Sequence, residues 1–184
     1  MSSRPETAPA DAGTGKTGPL AGLRVVEMGQ LLAGPFVGSR CADFGAEVIK
    51  IEAPGTGDPM REWGHHRYKG RTMWWPVLSR NKKTMTANLR TEAGQAMVRK
   101  LLADADALIE NFRPGVLAKL GLGYDALKAV NSRLVYCSVT GYGQTGPSAK
   151  RGAFDVTVQA ESGLMSVTGV DPGEPVKCGV PIAD

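Results

Sequence analysis

The apolar residues of this chain fall into two alternating spacings. Leu23, Val25 and Val26 form a short run, Phe36, Val37, Cys41, Ala42 and Phe44 then recur at helical intervals, and Val48, Ile49 and Ile51 form a second run. Short apolar runs suit buried strands, and recurrence every three or four residues suits one face of a helix. The punctuation agrees. Gly29 lets the chain turn out of the first strand, Pro35 fits a first helical position, Gly45 fits a C-cap, and Pro54, Gly55 and Gly57 close the second strand. Strand, helix and strand of this length predict a right-handed parallel crossover. Residues 29–35 and 52–58 then face one crevice beyond the carboxyl ends of the strands, where open α/β sheets hold a coenzyme.

Residues 60–75 interrupt the alternation. They are polar and aromatic, with Trp63, Trp74, Trp75 and the adjacent His65 and His66, and they read as a long loop over the crevice whose aromatics serve packing. Neighbouring histidines point in different directions, and no cysteine or carboxylate stands at ligand spacing, so no metal site is expected. The pattern then resumes with a strand over 84–89 and a helix from Thr91 that turns Ala93, Ala96, Met97, Leu101 and Leu102 inward. A strand over 106–111 leads into the turn Asn111-Phe112-Arg113-Pro114-Gly115. A helix from Val116 is broken at Gly121 and Gly123, with Tyr124, Leu127 and Val130 apolar beyond the break, and a strand over 134–139 ends in the loop Thr140-Gly141-Tyr142-Gly143. Residues 155–166 read as helix, 168–175 as a turn-rich link, and 176–183 as an extended segment leading to Asp184. This alternation predicts an α/β fold with a doubly wound parallel sheet.

Composition narrows the function classes. At 184 residues, 42% hydrophobic and 22% charged, the chain has the make-up of one globular domain with a real core. A net charge of +4 suits a soluble surface or a polyanionic small molecule. No basic run is interleaved with aromatics, which argues against nucleic acid. Cys41, Cys137 and Cys178 are odd in number and far apart, which argues against a disulfide framework or a zinc cluster and for a reducing compartment. No apolar run approaches the roughly 20 residues that a membrane span needs, and the N-terminus lacks the apolar core of a secretory signal. A cytoplasmic protein with no membrane partner is expected. Residues 1–18, rich in Ser, Pro, Ala, Gly and Thr, read as a disordered leader. Within it Gly13-Thr14-Gly15-Lys16-Thr17 imitates a phosphate-binding loop, but Ala10 stands where that motif needs its first glycine and no strand precedes it.

The segments PLAGLRVVEMG, LLAGPF, DFGAEVIKIEAPGTGD, NKKTMTANL, IENFRPG, LGLGYDAL, YCSVTGYGQTGP, SGLMSVTG and PVKCGVPIAD, in this order, together resemble the family III coenzyme A transferases, the CaiB/BaiF type that includes formyl-CoA transferase, carnitine CoA transferase and the α-methylacyl-CoA racemases. The resemblance runs from about Pro19 to Asp184. It implies a Rossmann-like large domain from an interlocked homodimer, with residues 19–184 as its N-terminal part and a second domain absent. It also implies CoA transfer from an acyl-CoA to a carboxylic acid, with coenzyme A and acyl-CoA as substrates and no permanently bound cofactor. The segment Gly179-Val180-Pro181-Ile182-Ala183-Asp184 matches the family's G-x-x-x-x-D motif, which makes Asp184 the expected nucleophile of a covalent aspartyl intermediate. An aspartate is ionised at neutral pH without a base.

By the same resemblance Arg113 and Lys119 match positions that bind CoA, and Asp155 matches a carboxylate beside the active site. Leu31, Leu32 and Ala33 occupy a turn near the thioester, where their backbone would matter. Ala53 stands where several relatives carry an arginine. In the racemase branch a histidine precedes the aspartate at position 155; here Phe154 does, and phenylalanine moves no proton. Transfer is therefore expected over 2-methylacyl-CoA racemisation, with a dicarboxylate such as succinyl-CoA suggested by YCSVTGYGQTGP. The alternative is an inactive CoA-binding fragment, or the partner half of a split enzyme, because the family's glycine-rich run beyond the nucleophile is not in the chain.

Overall fold

A computed structural model of the protein describes residues 17–170 and 173–184. The expected leader up to residue 16, and with it Gly13-Thr14-Gly15-Lys16, lies outside the described residues. Along the chain come β1 (Arg24–Glu27), α1 (Ala33–Asp43), β2 (Glu47–Glu52), a 3-10 turn (Pro59–Arg61), β3 (Arg67–Tyr68), β4 (Arg71–Thr72) and α2 (Trp74–Ser79). They are followed by β5 (Lys82–Thr86), α3 (Glu92–Ala103), β6 (Ala107–Glu110), α4 (Val116–Lys119), α5 (Tyr124–Val130), β7 (Val135–Ser138), α6 (Asp155–Glu161) and a second 3-10 turn (Leu164–Val167).

Five strands form one parallel sheet in the order β5-β2-β1-β6-β7. The chain starts at the centre, builds to one edge, and returns to build to the other. Successive strand side chains point to opposite faces, so each strand supplies two cores. Val26, Ile51 and Leu108 pack on one side with Val98 and Leu102 of α3, Leu117 of α4, Leu127 of α5 and Leu122 from the link between α4 and α5. Val25, Val48 and Ile109 pack on the other with Ala42 of α1 and Ala46. Helices on both faces give the doubly wound α/β architecture that the alternation predicts.

Several helix faces differ from the pattern. Phe36 of α1 and Phe44, which follows its last residue, are expected inward but are about half exposed; the helix's buried residues are Gly34, Pro35, Gly38, Ser39 and Ala42. Close approach is the reason, since a Cβ on Gly38 would meet Glu27 Oε2 at 2.1 Å. The next turn does end at Gly45, in the left-handed region at φ 99°. In α3 the inward residues are Gly94, Val98 and Leu102, while Ala93, Ala96 and Met97 face solvent. Gly94 sets that rotation: a Cβ there would lie 2.0 Å from the Asn88 carbonyl oxygen. Thr91 caps the helix, its Oγ1 accepting from the Gly94 N–H. The expected helix over 155–166 is divided by Gly163 at φ 81° into α6 and the second 3-10 turn. Residues 60–75 are not a plain loop. They contain most of the first 3-10 turn, an antiparallel hairpin of β3 and β4, and the start of α2, with the rings of Trp63 and Trp74 5.6 Å apart. Trp63 and Trp74 stay exposed, and the small core beneath this excursion is made by Leu32, Met60 and Leu78, with Trp75 packed against it.

Glu47 begins β2 and bridges its neighbours: it pairs with Arg24 of β1 at 2.8 Å and with Lys83 of β5 at 2.5 Å. Hydrogen bonds from Lys83 and then Arg24 hold its carboxyl down to about 2. A depressed folded-state value stabilises the fold above the unfolded carboxylate's range, and that contribution is lost as pH falls through the folded value. Urea midpoints of the protein and of Glu47→Gln will therefore differ at pH 6 and converge as pH falls from 4.5 towards 2.

Candidate active site

At the carboxyl ends of β1 and β2 four charged side chains are buried together. Glu27 and Lys50 stand opposite each other in the ladder, and Lys50 Nζ lies 2.7 Å from Glu27 Oε1, 2.8 Å from the Gly29 carbonyl oxygen and 2.8 Å from Asp58 Oδ2. Lys82 reaches in from β5, placing Nζ 2.5 Å from Glu27 Oε2 and 2.6 Å from the Pro35 carbonyl oxygen. Two ammoniums and two carboxylates balance; Lys50 donates hydrogen bonds to Glu27 and the Gly29 carbonyl, and its contact with Asp58 Oδ2, an oxygen with no hydrogen-bond partner among the described residues, is an ion pair. Burial pushes the Lys82 ammonium below its ordinary value, against the pull of Glu27.

This cluster fixes the turn that follows β1. Asp58 Oδ1 accepts from the N–H groups of Leu31 at 3.1 Å and Met60 at 2.8 Å. Asn111, at the end of β6, takes the Gln30 N–H at 2.7 Å and donates to the Gln30 carbonyl at 2.9 Å. Between these anchors Leu31 adopts φ 59°, a left-handed conformation that costs a branched residue about 1–3 kcal/mol. Leu32 turns its side chain into a small core with Met60 and Leu78, and Ala33 opens α1. What this turn offers the crevice is main chain. Beside it Arg61 forms a two-point bond to Glu52, 2.8 Å at each contact, and its guanidinium lies 3.7 Å over the Trp75 ring. Burial raises the Glu52 carboxyl, but Arg61, the Asp58 N–H and Lys50 outweigh it and leave it below the ordinary range.

A second cleft, of about 470 Å³, opens beyond β6 and β7 and is lined by Glu110, Arg113, Tyr124, Tyr136, Ser138 and Gln144 among others. Arg113 is exposed there, and a Cβ on Gly152 would come within 3.2 Å of its Nη2. Lys119, exposed at the end of α4, is not part of the lining. The structure thus brings one of the two expected cations to the cleft and leaves the other on the open surface nearby.

Asp155 and Asp184, far apart in sequence, come together. Asp155 Oδ1 accepts the Ala183 N–H at 2.8 Å, and its Oδ2 accepts from Gln159 Nε2 at 2.6 Å. Partial burial of the Asp184 carboxyl, and then the neighbouring Asp155 carboxylate, push Asp184 above its ordinary value. Tyr142, from the loop after β7, donates to Glu161 Oε2 at 2.8 Å and so ties that loop to α6, with Arg151 paired to the same carboxylate. Among the described residues no group of three or more His, Cys, Asp or Glu gathers to hold a metal ion, and no helix is long and apolar enough to cross a membrane. The three cysteines are free and half-buried.

The model of CoA-transferase family III matches residues 20–184. The chain is 53% identical over 166 residues to the succinyl-CoA–D-citramalate CoA-transferase of Chloroflexus aurantiacus, covering 90% of this chain and 41% of that protein. It is 45% identical over 172 residues to the succinate–glutarate CoA-transferase of Agrobacterium fabrum, covering 90% of this chain and 43% of that protein. A crystal structure of a CaiB/BaiF family protein from Brucella suis superposes with a TM-score of 0.84 at 46% identity, over 90% of this chain and 45% of that one. The chain spans about two fifths of the length of the curated relatives it matches.

Sequence reasoning missed Glu27, Lys50, Lys82, Asp58, Asn111 and Gln159. For Lys50 a signal existed, a lone cation inside the apolar run Val48-Ile49-Lys50-Ile51, where a strand covered on both faces leaves no route to water. Lys50→Met will leave Asp58 buried without its cation and lower the unfolding free energy by about 3–5 kcal/mol in urea melts. Lys83→Met, which removes a cation that is 66% exposed, will change it by less than about 1 kcal/mol.

Proposed function

The chain belongs to CoA-transferase family III, and from that premise we propose that it moves coenzyme A from a dicarboxylyl-CoA thioester, succinyl-CoA in the first instance, to a second carboxylic acid. The observation that supports the proposal is the meeting of Asp155 with the 183–184 segment: Asp155 accepts the Ala183 N–H and lies beside Asp184, the carboxylate that the resemblance offers as nucleophile. The dicarboxylate follows the names of relatives that act on succinyl-CoA or succinate.

In this reading a carboxylate oxygen of Asp184 attacks the thioester carbonyl, the C–S bond breaks, and CoA leaves as thiolate from a mixed anhydride. The thiolate then attacks the aspartyl carbonyl, releasing the donor acid as carboxylate and leaving an aspartyl-CoA thioester. The incoming carboxylate attacks that thioester, and the freed thiolate takes the new acyl group, which restores Asp184. No proton moves, so no general base is needed. Arg113, in its cleft, and Lys119, nearer the surface, take CoA phosphates. The first N–H groups of α1, around Leu32 and Ala33, have no acceptor within the helix and face the thioester. Phe154, exposed just before Asp155, offers no proton for racemisation. Residues 19–184 are the N-terminal, coenzyme-handling part of a longer fold that pairs as a homodimer and works in the cytoplasm.

Mixing the protein with succinyl-CoA is expected to give a hydroxylamine-sensitive adduct on Asp184 by intact mass and peptide mapping, absent from Asp184→Asn. The ionised carboxylate is the nucleophile, so adduct formation will hold near neutral pH and decline as pH falls through the raised value of Asp184, earlier than for an ordinary aspartate. An adduct of equal yield in Asp184→Asn, or one mapped to another residue, would overturn the assignment.

A further inference from the structure

We propose that Gln159 is a positioning residue: its carboxamide fixes the Asp155 carboxylate and, with it, holds the main chain that carries Asp184. The inference rests on the reading of Asp184 as the nucleophile. Gln159 is fully buried, one helical turn after Asp155 on α6. Its Nε2 donates to Asp155 Oδ2 at 2.6 Å, and its Oε1 accepts the Cys178 N–H at 2.7 Å. The chemistry fixes the orientation of the amide, because a carboxylate can only accept and a main-chain N–H can only donate. Asp155 then takes the Ala183 N–H with its other oxygen.

Two main-chain hydrogen bonds, at Cys178 and Ala183, therefore bracket residues 179–182, and Asp184 follows the second. Apolar burial does not do this work. Val180 and Ile182 are 61% and 62% exposed, and the segment belongs to no helix or strand. The polar clamp is what defines its path, and a carboxamide, which carries a donor and an acceptor on separate atoms and does not titrate, serves both neighbours at every pH. Leucine fills similar space and serves neither. A glutamate serves both only while it keeps its proton, donating to Asp155 through its hydroxyl and accepting from Cys178 through its carbonyl. The ionisable side chains of the two elements are Asp155 and Glu161 on the helix and Lys177, Cys178 and Asp184 on the segment; Asp155 contacts Gln159, Glu161 is engaged by Arg151 and Tyr142, and Lys177 donates to the Cys178 carbonyl. Opposite Asp155 the introduced carboxyl will hold its proton to higher pH than an ordinary glutamate and release it as pH rises.

The test reads amide hydrogen exchange and adduct formation with succinyl-CoA in the same proteins. In Gln159→Leu the Cys178 and Ala183 amides are expected to lose about tenfold or more in protection, with β1 and β6 amides unchanged, and the adduct at Asp184 to form about 100-fold more slowly. In Gln159→Glu both properties will stay near those of the parent protein at pH 5 and fall to those of the leucine variant by pH 8, a dependence that packing alone does not produce. Unchanged protection at Cys178 and Ala183 in Gln159→Leu overturns the clamp. Lost protection with an unchanged adduct rate overturns its role in positioning. If the parent protein forms no adduct while the amides respond as stated, the nucleophile reading fails and the clamp stands. If the leucine variant does not fold, the glutamate variant at its two pH values decides.

Discussion

The crevice depends on a charge that has no access to water. Lys50 lies on a strand covered on both faces, so its ammonium can persist only if protein atoms replace its hydration. Glu27, Asp58 and the Gly29 carbonyl do so. Much local geometry follows from that requirement. Glu27 must lie under α1, so the helix carries Gly38 at the point of contact. Asp58 must return to the sheet, so the 53–58 loop folds inward, and its other oxygen then secures the turn at Leu31. A buried ion pair is weak evidence for net stability, since an apolar substitute of the same shape can do as well. Its effect here is geometric: it specifies where a strained turn sits at the mouth of the sheet.

A second polar system, on α6, works by a related logic with fewer charges. The end of the described chain has neither a strand ladder nor a buried apolar face to locate it. Asp155 and Gln159, one turn apart on a seven-residue helix, provide the fixed points. Tyr142 and Arg151 fasten the same helix to the loop after β7 through Glu161. The helix is thus held by three polar attachments rather than by a deep apolar stripe, in keeping with Phe154 and Val156 exposed at 69% and 49%.

Much of this was legible in the sequence and some was not, for physical reasons. The strands and their parallel, doubly wound arrangement follow from apolar runs alternating with helical spacing, and the ends of α1 and α4 follow from Gly45 and Gly121. Helix faces were less legible. In α1 and α3 the packing surface is built around Gly38 and Gly94, which add nothing to an apolar pattern and so leave the rotation of the helix unmarked. The 60–75 excursion hid a hairpin because two-residue strands are too short to show alternation. Asp155 and Asp184 were legible only through a resemblance that spans many segments, whereas Gln159 and Asn111 act through single amide contacts that no spacing announces. Arg113 and Lys119, adjacent in the sequence argument, part company at the cleft because α4 turns the lysine outward.

Lys82 belongs to β5, the edge strand, yet its ammonium ends beside Glu27 in the middle of the sheet, with β2 lying between. Edge strands are ordinarily the first part of a sheet to fray. Here β5 cannot peel away alone, because doing so would withdraw a cation from the interior and leave Glu27 and Asp58 facing a single ammonium. The edge and the centre are therefore coupled into one cooperative unit, and the crevice turn inherits the resistance of the whole half-sheet to local opening.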